Sequence, residues 1–180
     1  FFCGSWLPNW RTGISYQNSV SSIRSLGGGV LLENSHEIDL ANWLLGPFEL
    51  HYSMTSCSGK LEVDVEDRAY LAGYGRSEIM ISIRLNFCTS PTRRDVLIRG
   101  TCGEIYWDLV HGKVHLNSDN GTKEVHKYGI SSDERYFRQM KHFFSCVNDQ
   151  HEPLCSLHEG LSVLRIIQQA RHFDDMHRAR

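Results

Sequence analysis

The sequence is poor in the features that mark several common protein classes. Its 180 residues carry a formal net charge of only -2, with the basic side chains scattered among the acidic ones. The lack of a basic patch disfavours nucleic acid and anionic membranes as partners. No apolar run approaches the roughly 20 residues that cross a bilayer, and the first residues lack the pattern of a secretion signal. We therefore expect a cytoplasmic protein with no nucleic-acid or membrane partner.

The cysteines show neither a metal-binding pattern nor a disulfide framework. They are widely spaced and form no CxxC pair: Cys3, Cys57, Cys88, Cys102, Cys146 and Cys155. Structural zinc sites and disulfide-rich domains usually show closely paired cysteines. We interpret all six as reduced thiols, some of them buried, and we predict no metal site.

The length and composition of the chain predict a single domain over residues 1–180, and its alternating segments predict that the domain is built on a sheet. Residues 79–87 alternate apolar and polar side chains, which is typical of a strand with one buried face. Similar short runs occur at "LHYSMT", "KLEVDV", "AYLAGY", "DVLIRG", "GEIYWDL", "KVHLNS" and "KEVHKY". Their connections are too short for helical crossovers, which predicts mostly antiparallel pairing. We interpret "TSPTRRD" as a hairpin turn with Arg93 and Arg94 in solvent.

Three segments have helical periodicity. The first covers residues 30–45 and ends at a Gly-Pro pair, as helices commonly do. The other two begin with capping boxes, at Ser131 with Glu134 and at Ser156 with Glu159. The predicted fold is α+β: one large, mostly antiparallel open β-sheet with helices packed on one face.

The stretch "GGGVLLENSHEID", residues 27–39, is the most informative part of the sequence. It is not GxGxxG and no Walker lysine follows, so its glycines more plausibly allow close approach of a ligand or another backbone segment. On the helix, Glu33 can share a face with either His36 or Glu37. A histidine among acids can act as an acid/base group or a metal ligand. The alternative is a core histidine held in place by Glu33 or Asp39.

Taken in order, these segments resemble the C-terminal domain of the Gfo/Idh/MocA oxidoreductases, the relatives of glucose-fructose oxidoreductase and inositol dehydrogenase. The most specific segment is "GGGVLLENSHEIDLANWLLG", and the resemblance covers nearly the whole chain. The supporting segments are "SWLPNW", "SYQNSVSS", "VEDRAYLAGY", "IRGTCGEIYWD" and the two closing helices, "DERYFRQMKHFFSCV" and "LCSLHEGLSVLRIIQQA".

The resemblance implies the roles of several residues. In that family an N-terminal Rossmann domain binds NAD or NADP, while the C-terminal domain supplies an open sheet and much of the sugar site. The family's histidine falls on His36 and its acid, usually Asp, on Glu33; Gly28 and Gly29 fall at the cofactor edge. The chain has no GxGxxG, ribose-binding acid or Lys-Pro motif. We therefore expect NAD or NADP only in a full-length enzyme with a Rossmann half. The isolated domain should bind no cofactor and be inactive.

The same resemblance suggests how a substrate is held. Within the loop of residues 5–22, Trp10, Arg11, Tyr16 and Asn18 are candidate contacts to a sugar ring and its hydroxyls. The alternative is that Trp10 and Tyr16 only hold the loop in place. The predicted function is the substrate-binding and oligomerisation domain of an NAD(P)-dependent oxidoreductase acting on a sugar, polyol or sugar-derived substrate.

The mixed strand face bearing Met80, Ser82, Arg84 and Asn86 predicts a homo-oligomer that pairs through the sheet. A competing interpretation is a non-catalytic, sheet-based interaction or scaffold module. The replacement of the usual Asp by Glu33 and the lack of a cofactor half favour that alternative.

Overall fold

A single sheet of eight strands forms the body of the described chain. The computed structural model describes residues 1–119, 121–129 and 131–178. The strands are β1 (Phe2–Trp6), β2 (Glu49–Ser56), β3 (Arg68–Tyr74), β4 (Met80–Asn86), β5 (Cys88–Gly100), β6 (Gly103–Asp108), β7 (Lys113–Ser118) and β8 (Gly121–Lys127). They lie side by side in the order β2-β3-β4-β1-β5-β6-β7-β8. Of these neighbouring pairs, β1 with β4 is parallel and the rest are antiparallel, which confirms the predicted sheet.

Four α-helices accompany the sheet in the described part of the chain. They are α1 (Val30–Glu33), α2 (Ser35–Leu45), α3 (Ser132–Asp149) and α4 (Leu157–Arg178), with short 3-10 turns between β1 and α1. Helices α1, α2 and α4 contribute to one core with the strands, which confirms the α+β fold with helices on one face. The apolar side of α3 is largely exposed. Among the described residues, no helix combines the length and apolarity needed to cross a bilayer.

The central strand β4 shows why the helices cover one face. Ile81, Ile83 and Leu85 are buried, whereas Met80 and Arg84 on the opposite face are exposed. Each fully buried side chain of this size contributes about 1.5–3 kcal/mol. The alternation across β4 therefore fixes which face the helices cover and which face stays open, as the sequence predicted. Ile79, which the pattern put on the apolar face, precedes β4 and is exposed.

Two predictions about local structure are wrong. The helix over residues 30–45 is interrupted at Asn34, whose φ of -105° and ψ of 25° separate α1 from α2. The segment "KLEVDV" lies in the loop between β2 and β3 and forms no strand. That loop instead buries Leu61 and Val65, and the carboxylate of Asp67 holds it by accepting hydrogen bonds from the Ser58 amide and hydroxyl.

The interpretation of "TSPTRRD" as a hairpin turn is also wrong. The segment lies inside β5 and pairs with β1, with Cys3 opposite Arg94 and Gly4 opposite Arg93. Successive side chains of a strand point to opposite faces. Arg94 therefore points to the helix-covered face and Arg93 to the open face, where its guanidinium lies over the Phe2 ring.

Candidate functional site

The site lies where α2 passes over the centre of the sheet. The interruption at Asn34 changes the phase of the helix, and the carboxylate of Glu37 then points to the sheet and is fully buried. Beneath it are Cys3 of β1 and Arg94 of β5, which are directly opposite each other and therefore share a face. A contiguous group from α2, β1 and β5 results.

Glu37 and Arg94 form the electrostatic centre of this group. Arg94 Nε donates to Glu37 Oε1 at 2.5 Å, and the two side chains are 31% and 0% exposed. A buried carboxylate without a partner is strongly unfavourable, so the Arg94 guanidinium offsets much of the cost of burying this acid. Glu37 Oε2 and Asn34 Nδ2 are buried without a hydrogen-bond partner among the described residues. The base of the site thus retains one acceptor and one donor.

His36 lies at the mouth of the group. Its side chain is 47% exposed, and its Nε2 lies 3.1 Å from Glu37 Oε1. The alternative of a core histidine held by Glu33 or Asp39 is therefore wrong: the ring reaches solvent and its carboxylate neighbour is Glu37. Glu33 is half-buried at the end of α1, and no polar contact within the described chain joins it to His36. Its catalytic role stays a prediction.

Cys3, His36 and Glu37 offer ligand atoms within 4.8 Å of one another. Burial and the nearby Glu37 carboxylate raise the pKa of the Cys3 thiol to about 11, and the thiol points to Asn34 Oδ1 at 3.7 Å. The Arg94 cation already pairs with one oxygen of the Glu37 carboxylate. This chemistry fits a carboxylate neutralised by arginine better than a metal centre.

The predicted cofactor-edge glycines are tightly packed inside the chain. A Cβ on Gly28 would lie 2.4 Å from the Val20 carbonyl oxygen, and one on Gly29 would lie 2.4 Å from Glu66 Oε1. Arg171 from α4 pairs with Glu66 at 3.2 Å and donates to the Gly28 carbonyl at 3.3 Å. The chain's own atoms therefore fill the space that the two glycines leave. These residues form no cradle for a dinucleotide, and their contact with a cofactor stays a prediction.

The predicted sugar-binding residues divide into two pairs. Trp10 donates to Ser5 Oγ at 2.7 Å and packs edge-on against Phe87, and Tyr16 Oη accepts from the Glu62 amide at 3.1 Å. Both rings therefore help to hold the loop, and their contact with a sugar stays a prediction. Arg11 and Asn18 are exposed. A narrow crevice is lined by Trp10, Arg11 and Tyr16, whereas Asn18 lies outside it.

The sequence indicated Glu37 only as a residue that can share a helix face with Glu33, and it predicted Arg94 to lie in solvent. The observed positions of these two side chains depend on features that the local sequence indicates only weakly. The phase of α2 depends on the interruption at Asn34, and the direction of Arg94 depends on pairing with β1, some 90 residues earlier. A strand assignment for residues 88–100 would have been enough to separate Arg94 from Arg93 by alternation.

Residues 17–172 match the profile of the Gfo/Idh/MocA family described as "Oxidoreductase family, C-terminal alpha/beta domain". No curated protein matches the sequence.

Solved structures with the same fold include three sugar-related dehydrogenases. Levoglucosan dehydrogenase, in complex with NADH and levoglucosan, has a TM-score of 0.76 and 16% identity over 96% of this chain and 56% of its own. UDP-N-acetylglucosamine 3-dehydrogenase GnnA from Acidithiobacillus ferrooxidans has a TM-score of 0.72 and 14% identity over 97% of this chain and 52% of its own. The WlbA dehydrogenase from Bordetella pertussis, in complex with NADH and UDP-GlcNAcA, has a TM-score of 0.69 and 21% identity over 98% of this chain and 51% of its own. The chain thus spans about half the length of these structures.

Proposed function

We propose, from the premise that this chain belongs to the Gfo/Idh/MocA oxidoreductase family and matches its C-terminal alpha/beta domain, that it is the substrate-side half of an NAD(P)-dependent oxidoreductase. The substrate class is a sugar, polyol or sugar derivative. The observation that carries the proposal is His36: a half-exposed imidazole next to a fully buried carboxylate at the centre of the sheet. The solved structures in complex with NADH and with levoglucosan or UDP-GlcNAcA support the cofactor and the substrate class.

In this proposal the chain handles a proton. Oxidation of an alcohol removes a hydride from carbon and a proton from the hydroxyl oxygen. The hydride chemistry is what a nicotinamide supplies when it is bound. His36 accepts the hydroxyl proton in the oxidation direction and returns it in the reduction direction. Trp10 and Tyr16 hold the loop, while Arg11 and Asn18 are the proposed contacts to sugar hydroxyls.

The test uses the native protein that contains this chain. Binding of NADH is measured by calorimetry, and turnover is measured against a panel of sugars and polyols. His36→Ala should lower kcat about 10²–10⁴-fold, the usual contribution of general acid–base catalysis, with unchanged NADH affinity. His51→Ala is the matched control, since His51 also has a carboxylate neighbour but is exposed on an edge strand. Full activity of His36→Ala would remove His36 from the mechanism.

We propose that the open face of the sheet is an oligomer interface. Tyr52, Met54 and Met80 are exposed there, and Arg84 lies over the Tyr70 ring. Aromatic, methionine and arginine side chains are enriched at protein interfaces. Met80→Glu, at a side chain that is 79% exposed, should shift the protein towards a monomer in light scattering. A native monomer at high concentration would contradict the interface.

The second candidate, a sheet-based scaffold module, is favoured by the same open face and by the exposed apolar side of α3. A native protein that binds no NADH and turns over no sugar or polyol, but still assembles through the sheet, would support it. The six free thiols are compatible with the cytoplasmic location that we also propose.

A further inference from the structure

We propose that Glu37, held by Arg94, is a positioning residue that keeps a proton on Nε2 of His36 and leaves Nδ1 as the nitrogen that accepts a proton. The catalytic meaning of this inference rests on the proposed function of His36. The physical claim concerns only the state and orientation of one imidazole ring, so it can be tested without turnover.

The His36 ring lies close to the Glu37 carboxylate. His36 Nε2 and Glu37 Oε1 are 3.1 Å apart. At this distance the negative carboxylate attracts a proton carried on Nε2 and disfavours an unprotonated, electron-rich Nε2. The arrangement is favourable when Nε2 carries the proton. In the neutral ring, Nδ1 is then the acceptor.

Burial and Arg94 hold the Glu37 carboxylate in place. Glu37 is fully buried, and Arg94 Nε donates to the same oxygen at 2.5 Å from a strand at the centre of the sheet. A side chain locked by packing and by a charged donor cannot follow the ring into solvent. Glu37 Oε1 therefore lies between the Arg94 guanidinium and the imidazole, while Glu37 Oε2 has no hydrogen-bond partner among the described residues.

The pair of His51 and Glu49 on β2 can be compared with the pair of His36 and Glu37. His51 Nε2 lies 3.2 Å from Glu49 Oε1, nearly the same distance, but these side chains are 52% and 79% exposed. Water screens that carboxylate, so it exerts little preference on the ring. The two histidines therefore share a contact distance and differ in the burial of the acid.

The experiment measures the ratio of the two neutral tautomers for both histidines. The full protein is labelled with ¹⁵N in the histidine rings, and the ring signals are assigned by their loss in His36→Gln and His51→Gln. We expect the Nε2-protonated form of His36 to exceed its Nδ1-protonated form by a ratio about tenfold larger than that of His51. Equal ratios for the two rings would overturn the inference.

Variants of the acid give a second readout. Glu37→Gln should bring the His36 ratio down towards that of His51, whereas Glu49→Gln should change the His51 ratio less than about twofold. If Glu37→Gln does not fold, the double variant Glu37→Met with Arg94→Met replaces the ion pair by an apolar pair, an exchange that is often tolerated. An unchanged His36 ratio in the folded variant would overturn the inference.

The tautomer and the catalytic assignment fail separately. A selected tautomer together with an active His36→Ala enzyme would support the positioning by Glu37 and refute the acid–base role. An unselected tautomer together with an inactive His36→Ala enzyme would overturn the positioning and support the acid–base role.

Discussion

Glu37 and Asp67 are both fully buried carboxylates, but the chain uses their oxygens differently. Asp67 accepts from the Ser58 amide at 2.7 Å on one oxygen and from the Ser58 hydroxyl at 2.5 Å on the other. Glu37 accepts from Arg94 on one oxygen, and its other oxygen has no partner among the described residues. Each has a cysteine thiol beside it, Cys88 for Asp67 and Cys3 for Glu37.

The difference separates a structural acid from a functional candidate. Asp67 uses both oxygens to close the loop between β2 and β3, so its environment is fully explained by the fold. Glu37 closes no loop, because its strong partner lies on another element and its neighbour His36 reaches solvent. Buried acids with incomplete partners next to exposed titratable groups are typical of sites whose purpose is not stability.

The largest expected effect comes from removing the arginine. Arg94→Ala leaves the Glu37 carboxylate buried without its cation, and loss of one partner of a buried ion pair costs about 3–5 kcal/mol. Urea unfolding followed by circular dichroism should show a loss of this size in the free energy of unfolding.

The matched control is Arg68→Ala. Arg68 Nε lies 3.7 Å from Asp67 Oδ1 and its side chain is half-exposed, while the Ser58 donors remain in place. The loss should be at most about 1 kcal/mol. Equal losses for the two variants would show that the two carboxylates are held in the same way, and the comparison would fail.

A smaller effect is expected from pH at Cys3. Its pKa is raised from the ordinary 9.0 to about 11 by burial and then by Glu37. Between these values the folded thiol keeps a proton that the unfolded thiol has lost, so the free energy of unfolding falls as pH rises. Below pH 9 this group contributes no slope. We expect the contribution to be about 2–3 kcal/mol across the window.

The measurement compares urea unfolding of the native chain and Cys3→Ala below pH 9 and near pH 11. The alanine variant should lose less stability over this window than the native chain. Cys102→Ala, at an exposed thiol, should follow the native chain. If Cys3→Ala loses as much unfolding free energy with rising pH as the native chain, Cys3 ionises alike in the folded and unfolded states.

The sequence was sufficient for the fold but not for the partners of His36. Period-two alternation identified β4 and its buried face, because burial of Ile81, Ile83 and Leu85 leaves a local pattern. The ion pair of Glu37 and Arg94 leaves no such local pattern in the sequence. It depends on the helix interruption at Asn34 and on which of two adjacent arginines points to the helices, and long-range pairing with β1 decides the second.

The prediction that failed at "KLEVDV" has a related cause. The segment alternates apolar and polar residues as a strand would, yet the Ser58 hydrogen bonds to Asp67 close it into a loop. Leu61 and Val65 reach the interior from that loop. Local alternation therefore indicated burial correctly and secondary structure incorrectly, because a side-chain hydrogen bond took the place of a ladder.

The smallest of the three effects tests the Asp67 side of the comparison. Ser58→Ala removes the hydroxyl that donates to Asp67 Oδ2 and keeps the backbone donor at Oδ1. A lost hydrogen bond to a charged acceptor should lower the free energy of unfolding by about 1–2 kcal/mol and make residues 57–67 more sensitive to protease. Ser58→Thr keeps the hydroxyl and should restore most of the loss. Because Ser58 and Arg94 share no partner, their losses should add in the double variant. A clear coupling would mean that the two carboxylates belong to one network, and the assignment of one to structure and the other to function would then be wrong.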